Sequence, residues 1–195
     1  MHRCLIYLIL LAAFPLQAQL LPTYGDSRTA TTGWQFLKIA PDARSSGLGE
    51  TYLAVADDMG SLFWNAAGLT QLDSNRWHTM VAHTAYPADI QQYFGGVVWR
   101  LDENTLLGAS LQYLDAGEMP VTTEFMPLGN GQTFRPVNMA AAFSWAQVLT
   151  DAFSFGITLK YVREDLATVH NQNVLLDLGF QYDIGIANTR FAVGL

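Results

Sequence analysis

The stretch AFSFGITLKYV, residues 152–162, places Phe153, Phe155, Ile157, Leu159 and Tyr161 on one face of an extended chain and Ser154, Gly156, Thr158 and Lys160 on the other. The period of two holds without a slip. Downstream, residues 174–184 repeat it, with Val174, Leu176, Leu178, Phe180, Tyr182 and Ile184 against Leu175, Asp177, Gly179, Gln181 and Asp183. Upstream, residues 137–147 set Val137, Met139, Ala141, Phe143 and Trp145 against Asn138, Ala140, Ala142 and Ser144, and residues 105–114 set Leu107, Ala109, Leu111 and Tyr113 against Gly108, Ser110 and Gln112. Residues 93–101 follow the same scheme, with Arg100 the one charge on the second face. Residues 75–86 and 189–195 complete about seven expected strands, and Asp, Asn and Gly clusters at 102–104, 150–151 and 185–188 mark turns.

Such alternation serves two architectures. A soluble sandwich turns its apolar face to a core, whereas a membrane barrel turns it to lipid and keeps the polar face for a lumen. Strands of about ten residues have the length that crosses a bilayer at a tilt. Trp77, Trp99, Tyr113, Trp145, Tyr161 and Tyr182 fall toward strand ends, as girdle aromatics do. Tight turns at 102–104 and 150–151 alternate with expected long loops at 115–132 and 163–173, the pattern of an outer-membrane barrel with short periplasmic turns. The expected fold is therefore all-β, an antiparallel transmembrane β-barrel, with a secreted β-sandwich binding module as the soluble alternative.

The composition agrees. Half of the 195 residues are hydrophobic and 14% are charged, too apolar for a disordered chain. A net charge of −7 without any basic block excludes a nucleic-acid surface. Arg3, the apolar run CLIYLILLAAF (4–14), Pro15 and a small residue at Ala18 read as a signal peptide over residues 1–18. The run is too short for a spanning helix. Cleavage after Ala18 removes Cys4, the only cysteine, so the mature chain is expected to lack disulfides.

Residues 19–72 are of another kind, and from Asp57 onward they lack strand alternation. The run FLKIAPDARSSGLGETYLAVADDMGSLFWNAAGL (36–69), followed by LGASLQYLDAGEMPVTTEFMPLGNGQTF (107–134) and FSFGITLKYVREDL (153–166), resembles the PorV/PorQ family of Bacteroidetes-type outer-membrane proteins, itself related to FadL-like transporters. The resemblance implies a 14-stranded barrel whose wall begins at residues 73–195 and whose N-terminal segment tucks into the lumen as a hatch. It also implies a cell outer-membrane location in contact with lipid, and a non-enzymatic part in type IX secretion beside a large translocon barrel that handles cargo with C-terminal signal domains. A FadL-like relative would instead pass hydrophobic small molecules. Where the family has Asn-Pro-Ala-Gly, this chain has Asn65-Ala66-Ala67-Gly68, so the proline that fixes φ is absent. An open seven-stranded sheet would expose unpaired backbone to lipid, which makes the chain read as the N-terminal half of a longer protein.

The expected hatch motif comprises Gly47, Gly49, Asp57, Asp58, Asn65, Ala66, Ala67 and Gly68. Gly47 and Gly49 are expected to allow close packing against the wall, since the third glycine and Lys-Ser/Thr of a phosphate loop are missing. Asp57 and Asp58 read as a solvated or helix-capping pair, and Asn65 as the residue that closes the turn into 66–69. Phe63, Trp64 and Leu69 would line a pocket in the transporter reading. The mixed apolar and proline content of 118–132 makes Met119, Val121, Phe125, Met126 and Leu128 candidates for a partner-binding loop. His78 and His83, five apart, fall on opposite strand faces and cannot share a metal. Asp177, Asp183, Lys160 and Arg100 are expected on the lumen face as a water-linked network. His170 with Glu164 and Asp165 is the one place to look for catalysis, but one His and two acids do not make a site. No enzyme, cofactor or metal is expected.

Overall fold

The computed structural model describes residues 33–122, 124–127, 129–166, 169–186 and 189–195. The signal-peptide reading of 1–18 and the candidate Leu128 lie outside the described residues. Nine strands follow the covering segment 33–72: β1 (Trp77–Ala85), β2 (Gln91–Arg100), β3 (Thr105–Asp115), β4 (Met119–Pro120), β5 (Thr133–Phe134), β6 (Val137–Thr150), β7 (Phe153–Leu166), β8 (Val169–Asp183) and β9 (Arg190–Gly194). Seven form one antiparallel sheet in the order β1-β2-β3-β6-β7-β8-β9, and β4 pairs with β5 as a separate hairpin inserted after β3. The sheet is not closed among the described residues.

The register decides which face is which. Leu176 lies beside Leu159, Leu159 beside Phe143, Phe143 beside Ala109 and Ala109 beside Val97, one apolar row across five strands. Leu176, Leu159, Phe143 and Val97 are all exposed, and Val81 on β1 reaches 89% exposure. The adjacent row, Asp177, Thr158, Ser144, Gly108 and Val98, points the other way, and in it Thr158, Ser144 and Val98 are buried. A sandwich would bury the first row. This sheet instead shows its apolar face to the outside and covers its polar one, the arrangement of a membrane barrel wall.

Aromatic side chains collect at both ends of the apolar face. At the end of the 102–104 turn, Trp77 stacks on Trp99 with ring centroids 5.4 Å apart, and Phe155 packs against Trp145 and Phe180. At the other end His83 stacks on Tyr93, which meets Tyr113. From Trp99 to Tyr93 along β2 is about 20 Å at the usual rise per strand residue, close to the height of an outer-membrane apolar band.

Two expectations about the loops need correction. Residues 163–173 are not a long loop: β7 and β8 stay paired out to Leu166 opposite Val169. The polar residues there alternate as regularly as the apolar ones, and Glu164 is 7% exposed because its carboxylate accepts a hydrogen bond from the Trp34 amide at 2.7 Å. The long connection at 115–132 is present, but it holds β4, which pairs with β5 just beyond it as a hairpin.

Candidate functional site

The covering segment lies on the polar face and is held there by its own irregular backbone. A 3-10 turn (Gln35–Lys38), α1 (Ala43–Gly47), α2 (Ser61–Trp64) and a second 3-10 helix (Ala66–Gln71) leave the Ile39 and Ala56 carbonyls without backbone partners inside the segment, while that of Phe36 has the Ile39 amide and room for a second donor. Glutamines of the sheet supply them. Gln112 Nε2 donates to the Phe36 and Ile39 carbonyls at 3.4 and 3.5 Å, Gln92 Nε2 to Ile39 at 3.4 Å, and Gln181 Nε2 to Ala56 at 2.8 Å. Irregular backbone at membrane depth is tolerated only where protein or a water-lined cavity satisfies it, and these amides do so.

Glycines on the same face make the room. A Cβ on Gly96 or Gly108 would run into Leu62, one on Gly156 would meet the backbone of Ala66 and Ala67, and one on Gly194 would lie 2.8 Å from Leu53. Gly156, Gly179 and Gly194 are register neighbours on β7, β8 and β9. Leu62 and Leu69, at 1% and 0% exposure, anchor a core with Phe94, Val98, Leu106 and Ala146, each Leu contributing about 1.5–3 kcal/mol of burial.

Asn65 sits at the centre. Its Oδ1 accepts from the Ala67 amide at 3.1 Å and so caps the second 3-10 helix, while Nδ2 donates to the carbonyls of Leu53 and Phe180, both at 3.2 Å. Ala66 and Ala67 pack on Gly156, and Gly68 lies so close to the Ala56 carbonyl that no side chain fits. Gly47 and Gly49 differ from expectation: both are exposed and a Cβ on either would touch nothing, so they do not pack against the wall. Gly49, at φ +64°, turns the chain just past α1 in a conformation that other residues resist.

Farther out, Asp42 caps α1 by accepting from the Ser45 amide at 2.8 Å. Arg44 Nη1 donates to Asp57 Oδ1 and Asp58 Oδ2, each at 2.7 Å, and the guanidinium lies over the Tyr52 ring. Hydrogen bonds to Asp57 and then Asp58 raise the Arg44 pKa. Burial alone would raise that of Asp58, but hydrogen bonds from Arg44 and the Gly60 amide outweigh it and hold the carboxyl below its ordinary value. Burial and Asp58 raise the Tyr52 phenol.

A cleft of about 260 Å³ remains between the segment and β7–β9. Phe63 and Trp64 line it, but so do Lys160 and Asp177, whose ion pair spans 2.5 Å. Leu69 does not line it, being enclosed in the core. Arg100 reaches the carbonyls of Leu72 and Asp73, and Asp183 accepts from the Gly185 amide, so the four expected lumen charges form no single network. His78 lies 3.2 Å from Asp73, and His170 lies 2.6 Å from Asp165 on the exposed β7–β8 end.

Opposite the short turns, the β4–β5 hairpin carries exposed Phe125 (90%), Met126 (53%) and Met119 (37%). Its base is rigid. Asp115, at 4% exposure, accepts from the Gly117 amide at 3.0 Å and from Arg135 Nε at 2.8 Å, with Arg135 Nη2 on its second oxygen.

With this geometry in hand, the family model described as type IX secretion system protein PorV matches residues 23–184. The chain belongs to the PorV family. Membership makes it a type IX secretion-associated outer-membrane protein, which accounts for a sheet that is apolar outside and covered inside. No curated protein matches. The sequence singles out the block around Asn65 but not Gly96, Gly108, Gly156, Gly179 and Gly194 as the residues that make room for it, nor Gln92, Gln112 and Gln181 as donors to it. The available signal was small and amide-bearing residues recurring on one face of successive strands.

Proposed function

We propose that the protein is a non-enzymatic component of type IX secretion that accompanies the large translocon barrel and receives secreted cargo through C-terminal signal domains, with the 118–132 loop as its contact surface. The observation that carries this reading is the position of the apolar side chains. Phe125, Met126 and Met119 stand exposed on a stiff-based hairpin, while the polar face of the wall is covered by residues 33–72. A hatch so tightly seated favours a binding role over a conduit. The FadL-like alternative asks for an apolar pocket at Phe63, Trp64 and Leu69. Against it, the cleft there contains the Lys160–Asp177 pair, and a charged pair is poor company for a hydrocarbon. In this reading residues 1–18 direct export, and the seven strands are part of a 14-stranded barrel.

Deleting residues 122–130 tests it. The expected result is cargo retained in the cell with normal outer-membrane assembly of the variant. Unchanged secretion with altered uptake of hydrophobic compounds would support the transporter instead.

A further inference from the structure

At the end of β1 and β2 beside the 102–104 turn a depression of about 500 Å³ opens between Ser74, Arg76, Arg100, Leu101, Asp102 and Glu103. Its cations are incompletely used. Arg76 stands 5.8 Å from the Trp99 ring centroid and takes part in no ion pair among the described residues. Arg100 spends Nη2 on the carbonyls of Leu72 and Asp73 and Nη1 on that of Glu103, which leaves its buried Nε without a partner. Across the same depression Asp102 and Glu103 present exposed carboxylates. On the outward side the stacked Trp77–Trp99 pair and Leu101, 45% exposed, continue into the apolar face. Tryptophans at this position mark the headgroup level of a bilayer, and the end opposite the long 115–132 connection is the periplasmic side.

Opposite charges on one depression, beside an apolar face, match a ligand that is itself zwitterionic and joined to hydrocarbon. We propose that this depression holds the headgroup of a phosphoethanolamine phospholipid from the periplasmic leaflet. The phosphate lies on Arg76, backed by Arg100, the ammonium faces Asp102 and Glu103, and the acyl chains run along Leu101 and Trp77. A guanidinium binds phosphate oxygens through charge-assisted hydrogen bonds. A purely anionic headgroup would meet the two carboxylates as like charges, and a choline headgroup has no N–H to give them.

The test uses the full chain purified in detergent, mixed with equal amounts of phosphatidylethanolamine, phosphatidylcholine and phosphatidylglycerol, with retained lipids counted by native mass spectrometry. Phosphatidylethanolamine should be retained over both others. Arg76→Ala should weaken its retention by about tenfold, as expected for loss of a charge-assisted contact. Glu103→Gln, on an exposed turn that leaves folding intact, should shift the balance severalfold toward phosphatidylglycerol. Equal retention of the three lipids, a wild-type preference for phosphatidylglycerol, or an Arg76→Ala protein that binds as well as wild type would overturn the proposal.

Discussion

The carboxamide oxygen of Asn65 occupies the space that a Cβ on Gly179 would need. The covering segment and the wall are thus fitted to each other at the level of single atoms. Gly179→Ala, and Gly156→Ala against the Ala66–Ala67 backbone, should each cost about 1–3 kcal/mol, as overpacking does. Gly95→Ala, whose nearest neighbour would be 3.9 Å away, should be tolerated. Thermal unfolding in detergent, followed by loss of heat-modifiable migration, reads the difference.

Charge substitutions separate the two faces of β7 by different readouts. Leu159→Arg places a cation on the exposed apolar row and should destabilise by about 2–4 kcal/mol near the bilayer midplane, measured as reduced membrane assembly. Thr158→Lys should hurt too. Thr158 is 4% exposed and bonded to Ser144 Oγ at 2.8 Å beneath the covering segment. Its effect should appear as protease cleavage within residues 33–72 in a barrel that still assembles. Tolerance at Thr158 or Gly156, which a water-filled lumen would allow, is not expected of this packed face.

Acid should loosen the covering segment through Asp58. Its pKa is held below the ordinary 3.8, so its stabilising contribution is complete above that value and disappears as pH falls through the lower folded value. Arg44 stays protonated throughout, and the raised Tyr52 phenol stays neutral. Protease protection of residues 33–72 should therefore be constant from neutral pH down to about 5 and decline below about 4. Asp58→Asn should give weaker protection at neutral pH and a flatter acid profile.

The hairpin depends on its base. Arg135→Met removes both bonds to Asp115, whose 4% exposed carboxylate then keeps only the Gly117 amide. Faster proteolysis between 118 and 134 with an intact wall is the expected outcome. Phe125→Ser, at a 90% exposed position, should leave stability within about 0.5 kcal/mol of wild type while reducing cargo release. A large drop in stability from Phe125→Ser would mean that the ring packs over the wall.

The strands were legible because each wall residue faces either lipid or the interior, and a period of two survives in the sequence wherever one solvent is hydrocarbon. Leu159 and Phe143 could be placed from alternation alone. The cradle was not legible in the same way. Gly179 and Gly194 look like any small residues on a lumen face until Asn65 and Leu53, more than a hundred positions earlier, are seen against them, and so does Gly156 until Ala66 and Ala67 are. Residues 163–173 were misread because their polarity suggested a loop, whereas Glu164 is polar in order to hold the Trp34 amide. Leu69 read as a pocket wall because apolar residues in an irregular segment do not reveal whether they face a void or a core. Gly47 and Gly49 drew attention by composition, yet one lies on an exposed helix end and the other in an open turn.

The sheet's strand order follows the chain order, with β4–β5 set aside, so each hairpin closes between strands that are neighbours in sequence. The bonds from Trp34 to Glu164 and from Ala56 to Gln181 instead span 130 and 125 positions. Long-range closures come late because their loop entropy must be met before any contact rewards it. The N-terminal part of residues 33–195 is thus expected to be seated last. In that order the wall would stand for a time with Gln92, Gln112 and Gln181 wet and its interior open, a stage with properties the finished protein does not have.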